Sequence, residues 1–155
     1  PLTWSIERGP SGVVIDPATG RLTWTPSAAD LGRRTIVVRV TNAAGVDRQS
    51  FVALVVDRDP PTAPRLHAAV GRGRITLSWD AATDNVGVAG YQVYRARLRR
   101  NGSVEWVEIG GFQPDLSMSL AADPGASETF TVRAFDAAGN ESPLSNTVTV
   151  TALRR

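Results

Sequence analysis

The sequence contains no cysteine, no lysine and only one histidine. Without cysteine, neither a disulfide nor a cysteine-ligated metal can form. Without lysine, the lysine–asparagine isopeptide crosslinks of some bacterial adhesins cannot form. His67 alone is too little to anchor zinc, which needs three or four ligands. We interpret it as structural or solvent-facing, and we predict that this chain is not an enzyme and needs no cofactor.

Long apolar runs are also missing, and none approaches the roughly 20 residues that a membrane helix requires. The net charge of +2 is too small to indicate nucleic-acid binding. Because the chain begins at Pro1 rather than at a methionine, we expect a fragment or a processed product of a larger protein. All 17 basic residues are arginine, a bias typical of a GC-rich, bacterial genome.

Strand signals dominate the sequence, and helical periodicity is nearly absent. Short runs of valine, threonine, isoleucine and aromatic residues alternate with clusters of glycine, proline, asparagine and aspartate. This rhythm predicts an all-β protein built from immunoglobulin-like β-sandwich domains. Prolines 60, 61 and 64 lack the N–H that a central strand needs. We therefore predict two domains in tandem, residues 1–57 and 64–153, joined by a proline-rich linker at 58–63.

The two predicted domains end alike. Residues 38–45, VRVTNAAG, align with residues 132–139, VRAFDAAG, at an offset of 94, and the alignment continues without a gap to Val56 and Val150. Each stretch is a strand, an Asx-Ala-Ala-Gly turn and a final strand. Such repeats are typical of extended modular proteins, so we expect a secreted or cell-surface location and, as partners, other domains of the same parent chain.

The most specific stretch of the first domain is IDPATGRLTWTP, residues 15–26, which predicts a hairpin that opens at Asp16 and closes at Gly20. Together with the VRVTNAAG strand, it resembles the putative-Ig or dystroglycan-type cadherin-like repeats of bacteria. Two departures stand out. Asn42 replaces the aspartate of the family pattern, which weakens a calcium site, and the resemblance implies opening strands that residues 1–57 lack.

The final strand of the first domain, residues 49–56, is apolar on both faces. One row consists of Phe51, Ala53 and Val55. The other consists of Val52, Leu54 and Val56. The family pattern points the first row inward, whereas the internal alignment points the second row inward. Either way one apolar row faces outward, which predicts a contact surface covered by other strands, by the second domain or by a neighbouring chain.

In the second domain, residues of like parity on successive strands predict the core between two sheets. They are Ile75, Leu77, Trp79, Tyr91, Val93, Phe130, Val132, Ala134, Val148 and Val150. The segments ITLSWD (75–80), DNVGVAGYQVYR (84–95) and FTVRAFDAAGNES (130–142) resemble a fibronectin type III domain of the kind found in secreted bacterial enzymes. The resemblance implies a non-catalytic sandwich, with Phe130 in place of the corner tyrosine.

A dense group of cations is the strongest candidate for a binding site. Arg95, Arg97, Arg99 and Arg100 lead into Asn101-Gly102, a signal for a type I′ hairpin turn. With Tyr94 and Trp106 nearby, these arginines predict a site for an acidic glycan, a protein or another anionic surface. The alternative is a solvated hairpin whose charges keep an edge strand from aggregating.

Calcium is the one metal that the sequence leaves open. Its candidate ligands are Asp57, Asp59, Asp84 and Asp136. No D-x-D-x-D run supplies the six to eight oxygens that calcium requires, so we expect calcium to contribute little to stability.

Two functions follow from these features. The first is a non-catalytic spacer or adhesion segment of a larger secreted or cell-surface bacterial protein. The alternative is an accessory carbohydrate-binding segment of a secreted polysaccharide-degrading enzyme, for which Tyr94 and Trp106 are the best stacking candidates.

Overall fold

Strands of alternating polarity form nearly all the regular structure of residues 1–153, the part of the chain that the computed structural model describes. The chain divides into two units, one ending at Asp57 and one beginning at Arg58. The only helical element in residues 1–153 is a single 3₁₀ turn, Ala28–Asp30, and no helix there is long and apolar enough to span a membrane. The predicted all-β class, with two immunoglobulin-like sandwiches in tandem, is confirmed.

The first unit contains one antiparallel sheet of three strands and a short hairpin. The sheet has the order β1-β4-β5, from Thr3–Arg8, Gly32–Asn42 and Gly45–Val55. The hairpin pairs β2, Val14–Ile15, with β3, Leu22–Thr23. Its turn closes as predicted, since Gly20 N–H donates to Asp16 C=O at 2.8 Å. A side chain at Gly20 would overlap the Trp4 ring, which shows that the turn packs against β1.

The final strand of this unit settles the conflict between the two predicted orientations. Ala53 and Val55 face inward and are half-buried, and Phe51, which is 38% exposed, is paired with the buried Ile36. The outer row of Val52, Leu54 and Val56 is 48%, 69% and 51% exposed. The family pattern is therefore right and the orientation from the internal alignment is wrong. β5 pairs only with β4, so its outer edge is unpaired within residues 1–153.

The second unit is a sandwich of two antiparallel sheets. One sheet has the order β10-β7-β6, from Ser117–Ala121, Arg74–Asp80 and Arg65–Gly71. The other has the order β12-β11-β8-β9, from Val148–Thr151, Ser127–Asp136, Val88–Leu98 and Val104–Gln113.

The core of the second unit lies between these sheets and contains the predicted residues. Ile75, Leu77, Phe130, Val132 and Ala134 have no exposed surface. Trp79, Tyr91 and Val93 are also buried, and Val148 and Val150 pack against the cluster at its rim. The predicted core is thus confirmed, because strict alternation on each strand leaves one choice of inward face.

The proline-rich segment has no regular secondary structure, and its second half packs on the second unit. Pro61 and Pro64 are buried. Between them, Thr62 N–H donates to Thr83 C=O at 2.8 Å, and Thr83 N–H donates back to the Thr62 hydroxyl at 2.8 Å. These contacts fix the chain where it enters the sandwich.

Candidate functional site

The arginine-rich hairpin joins β8 to β9. Arg95 and Arg97 lie on one face of β8, opposite Val107 and Glu105 of β9. Arg99 follows Leu98, the last residue of β8, and binds Glu105, which is paired with Arg97, so Arg99 lies on the side of Arg95 and Arg97. The predicted type I′ turn is wrong. Such a turn requires positive φ at two successive residues, and here only Gly102 has it, at 82°.

The observed turn resembles the three-residue hairpin connection in which a glycine forms a bulge. Gly102 N–H donates to Arg99 C=O at 3.0 Å, and Arg99 N–H donates to Ser103 C=O at 2.9 Å. Arg100, Asn101 and Gly102 therefore form the loop, and Arg99 remains hydrogen-bonded across the hairpin.

Two of the four arginines already have carboxylate partners. Arg95 Nη1 lies 3.0 Å from Glu128 Oε1. Arg99 binds Glu105 through two hydrogen bonds, of 3.1 and 2.5 Å. The bonds from Arg99 lower the pKa of Glu105 and raise the pKa of Arg99. Half of the four positive charges are therefore compensated, one by Glu105 within the hairpin and one by Glu128 of β11.

The remaining strand arginine, Arg97, borders a cleft of about 350 Å³, which we name the arginine cleft. It is lined by Arg95, Ala96, Arg97, Val107, Ser127 and Glu128. Glu128 contributes a negative charge to this cleft. The arginine cleft has room for a small anionic group. Among the described residues, Arg97 is the one arginine of the cleft that forms no direct ion pair.

Tyr94 and Trp106 lie on the opposite face of the sheet from Arg95 and Arg97. Tyr94 is paired with Glu108, and Trp106 with Ala96. Successive residues of a strand point to opposite faces. The combined site of arginines and aromatic rings that the sequence predicts is therefore divided between two surfaces.

Two further aromatic residues share the face of Tyr94 and Trp106, and we name this surface the aromatic face: Tyr94, Trp106, Phe112 and Phe135. Phe112 and Phe135 form an edge-to-face pair with ring centroids 6.0 Å apart. The Phe112 ring lies over Gly90, where an added Cβ would come within 2.5 Å of it. Phe112 is nevertheless 57% exposed.

A bulge in β9 produces this arrangement. Tyr91 pairs with Gln113 and Val93 with Ile109, so three residues of β9 oppose one residue of β8. Gly110 and Gly111 both have positive φ, of 75° and 79°. The Gln92 amide fills the gap by donating to Ile109 C=O at 3.1 Å. Sequence reasoning missed Phe112, although the Gly110-Gly111 pair before it was a signal for a bulge.

Charged groups lie between the aromatic rings. Arg133 forms an ion pair with Glu141 on this face. Burial raises the pKa of Tyr94, and the nearby charges of Glu108 and Glu141 raise it further while Arg133 lowers it. The phenol of Tyr94 therefore lies close to all three charged side chains.

The candidate calcium ligands lie mainly in loops. Asp57 ends the first unit, and Asp59 accepts a hydrogen bond from Asn85 at 3.3 Å. Asp84 lies in the β7–β8 loop and Asp136 ends β11, and their carboxylates lie within 4.8 Å of each other. Each bonds its own loop. Asp84 Oδ2 accepts the N–H groups of Val86 and Gly87, both at 2.8 Å.

Asp136 organises the Asx-Ala-Ala-Gly turn of the second unit. It is only 4% exposed, and it accepts the backbone and side-chain N–H groups of Asn140 at 2.8 and 2.6 Å. Burial by itself raises the pKa of Asp136, but the hydrogen bonds from Asn140, Ala138 and Gly139 outweigh it, so the net pKa is lowered. Its role in forming the turn therefore explains why an aspartate stands at position 136.

His67 has neighbours that the sequence did not reveal. Its Nε2 lies 3.4 Å from Asp80 Oδ1, and Ser78 lies opposite it on β7. The three residue types are those of a hydrolytic triad, but they stand on an open sheet face. The side chains of His67 and Asp80 are 50% and 67% exposed, which offers no enclosed site for a transition state.

Comparison with known proteins assigns the first unit. Residues 2–57 match the model of the family described as Putative Ig domain. The second unit is a sandwich of two sheets, and its sequence segments resemble a fibronectin type III domain. The chain is a tandem of two immunoglobulin-like modules.

The tandem is similar to segments of bacterial enzymes. It is 41% identical over 126 residues to Chitinase A1 of Niallia circulans, a match that covers 75% of this chain and 17% of that protein. It is 36% identical over 104 residues to an Alpha-amylase of the same species, covering 64% of this chain and 7% of that protein. The chain thus spans less than a fifth of the length of either relative.

Among solved structures, the fibronectin type III domain of human fibronectin type III domain containing protein 3 is similar. The TM-score is 0.49 and the identity is 16%, and the match covers 64% of this chain and 92% of that chain.

Proposed function

We propose that the tandem is a non-catalytic accessory segment of a larger extracellular bacterial protein that acts on polysaccharides, and that it serves there as a spacer. The observation that carries this proposal is the similarity to segments of both a chitinase and an amylase. These enzymes differ in substrate, so the similar segment is better explained by a role common to both than by their cleavage chemistry.

The structure of the second unit supports a spacer. Its core is well formed, and the entering chain is anchored through Pro61 and Thr62. The His67–Asp80 pair is exposed, and the neighbouring carboxylates of Asp84 and Asp136 accept hydrogen bonds from their own turns, so neither pair flanks a substrate cleft as glycoside hydrolysis requires. Adhesion, which the sequence also suggests, stays a prediction.

A chimera tests the spacer role. The chain, or a flexible Gly/Ser linker of the same length, is placed between the catalytic domain of a chitinase and a domain that binds insoluble chitin. We expect equal hydrolysis of a soluble chito-oligosaccharide and more product from insoluble chitin with the folded tandem.

The isolated chain is the control, and we expect it to release no sugar from chitin, starch or cellulose. Turnover by the isolated chain that His67→Ala abolishes would contradict the non-catalytic role. Equal activity of both chimeras on insoluble chitin would contradict the spacer.

A further inference from the structure

The aromatic face contains most of the aromatic residues of the second module. Trp79, Tyr91 and Phe130 are used in the core. The remaining aromatic residues of this module all lie on the outer face of one sheet: Tyr94, Trp106, Phe112 and Phe135. Tyr94, Trp106 and Phe135 are half-buried on this face, and Phe112 is exposed. Aromatic surface that stays in contact with water on one face marks a candidate binding surface.

The aromatic face has one ring pair, Phe112 with Phe135, and two further rings, Tyr94 and Trp106, on the same side of the sheet. Phe112 and Phe135 flank Gly90, and Tyr94 and Trp106 lie further along β8 and β9. Gly90 and Tyr94 are separated by about 13 Å, at roughly 3.3 Å per residue of strand. An elongated ligand with repeating rings therefore fits the aromatic face better than a compact one.

The composition of the aromatic face matches the chemistry of a sugar ring. The C–H groups on one side of a pyranose are weakly positive and complement the negative face of an aromatic ring. Its hydroxyl groups need hydrogen-bond partners, and charged side chains make the strongest ones. Arg133, Glu141 and Glu108 provide such partners between the aromatic rings.

The charge on this face decides between neutral and acidic glycans. Arg133 contributes +1 and Glu108 and Glu141 contribute −2, so these charged groups sum to −1. Arg133 is already paired with Glu141. The other arginines of the hairpin lie on the opposite face, where Arg95 and Arg99 are paired with glutamates. An acidic chain would be repelled here, whereas a neutral chain would not.

We propose that the aromatic face binds a neutral polysaccharide chain, with Trp106 and Tyr94 stacking on sugar rings at one end and Phe112 at the other. The choice of a glycan as partner rests on the proposed accessory function, while the position and the neutrality of the ligand rest on the geometry. A platform that stacks on ring faces would tolerate several neutral glycans, as a segment common to different enzymes requires.

Titration of the full chain with cellohexaose, maltohexaose and chitohexaose, followed by calorimetry and by tryptophan fluorescence, tests this inference. We expect saturable binding of at least one hexaose with a Kd of about 1 mM, or roughly −4 kcal/mol. Trp106→Ala and Phe112→Ala should each weaken it about tenfold or more, a loss of about 1.4 kcal/mol. Trp106→Phe, which keeps a ring, should retain most of the affinity.

The matched control is the double variant Arg97→Ser/Arg99→Ser on the opposite face, which should bind the hexaoses like the parent chain. Unfolding in urea shows whether each variant is folded. If Trp106→Ala fails to fold, the exposed Phe112→Ala decides the question.

Several results would overturn the inference. They are the absence of saturable binding to any of the three hexaoses, binding that survives both aromatic substitutions, and binding of an oligogalacturonate alone that the arginine double variant abolishes. The last result would assign binding to the arginine cleft. Self-association that Phe112→Ala abolishes would identify the face as a contact between copies and would also overturn it. None of these results affects the chimera test, so a failure here is distinguishable from a failure of the spacer role.

Discussion

At the scale of single residues, buried hydrogen bonds between distant segments fix the loops of the second module. Tyr91 is the clearest case, because it is a core residue with a polar tip. Its hydroxyl accepts the backbone N–H of Ala82 at 3.0 Å in a buried environment. The strand pattern predicted that Tyr91 is buried but did not reveal which loop its hydroxyl would bind.

Tyr91→Phe should lower the free energy of unfolding of the second module by about 1–3 kcal/mol, because the buried Ala82 N–H loses its acceptor. Tyr94→Phe is the matched control. The Tyr94 hydroxyl makes no hydrogen bond within residues 1–153, so we expect a change below about 0.5 kcal/mol. Urea titration of both variants measures the difference, and equal effects of the two changes would contradict the assigned role of Tyr91.

Asp136 makes the stability of the same module depend on pH. Its folded-state pKa is lowered, because hydrogen bonds from Asn140 and the turn backbone outweigh the effect of burial. A carboxyl with a lowered pKa stabilises the folded state fully above its unfolded-state pKa of about 3.9. This contribution is lost as the pH falls through the lower folded-state pKa.

Asp136→Asn should therefore destabilise the module by about 1–3 kcal/mol at neutral pH, and the gap to the parent should narrow below about pH 4. Asp115→Asn, on the exposed β9–β10 connection, is the control and should change stability by less than about 0.5 kcal/mol. Unfolding midpoints in urea from pH 2 to about 7 give both curves. A gap that stays constant down to the acid limit would refute the titration of Asp136 as its cause.

At the scale of elements, alternation along each strand was enough to predict the core of the second module, and irregular features account for what it missed. Gly110 and Gly111 change the register of β9 by two residues and bring Phe112 over Gly90. Side-chain periodicity contains no information about such a bulge. The division of the hairpin into an arginine face and an aromatic face, in contrast, followed from parity and could have been predicted.

Near the end of the chain, serine side chains replace strand pairing. Ser145 Oγ accepts the Val132 N–H at 3.0 Å, and Ser142 Oγ accepts the Ala134 N–H at 2.9 Å. β12 begins only at Val148, so part of β11 would otherwise have unsatisfied donors. A strand pattern does not indicate that serine hydroxyl groups will accept these backbone N–H groups, because serine is common in ordinary turns.

The outer row of β5 permits a direct test of the orientation of this strand. Val52→Thr combined with Leu54→Thr keeps high strand propensity and removes exposed apolar surface. We expect the unfolding free energy of the first module to change by no more than about 0.5 kcal/mol.

The matched change in the same sheet is Val38→Thr, since Val38 is 8% exposed and faces the core. It places a hydroxyl in an apolar site and should cost about 1–3 kcal/mol. Circular dichroism during urea unfolding compares the two variants. A larger loss from the outer pair than from Val38→Thr would mean that the outer row of β5 is covered in solution.

At the scale of the whole molecule, the two modules differ sharply in the size of their cores. In the first, Ile36 and Val38 are the buried apolar residues within the described chain, at 1% and 8% exposure. The second has a cluster of twelve buried apolar residues between its sheets. Free energy from apolar burial scales with the area removed from water, so the modules should differ in stability.

We therefore predict that the first module is not self-sufficient. Its 57 residues have no disulfide, and small domains bury a smaller fraction of their surface than large ones. The outer row of Val52, Leu54 and Val56 also stays in contact with water unless another surface covers it. Urea should unfold the full chain in two transitions, with amides of β4 and β5 exchanging with deuterium well before those of β8 and β11.

Separate expression of residues 1–57 and of residues 58–155 completes the test. The first should lack a cooperative thermal transition, because its core is too small to offset the conformational entropy of its chain. The second should reproduce the later transition of the full chain, which controls for the effect of cutting. The prediction is wrong if a monomeric 1–57 fragment melts cooperatively while the outer row of β5 is open to solvent. Two buried residues and the half-buried apolar residues around them would then suffice to stabilise this sheet.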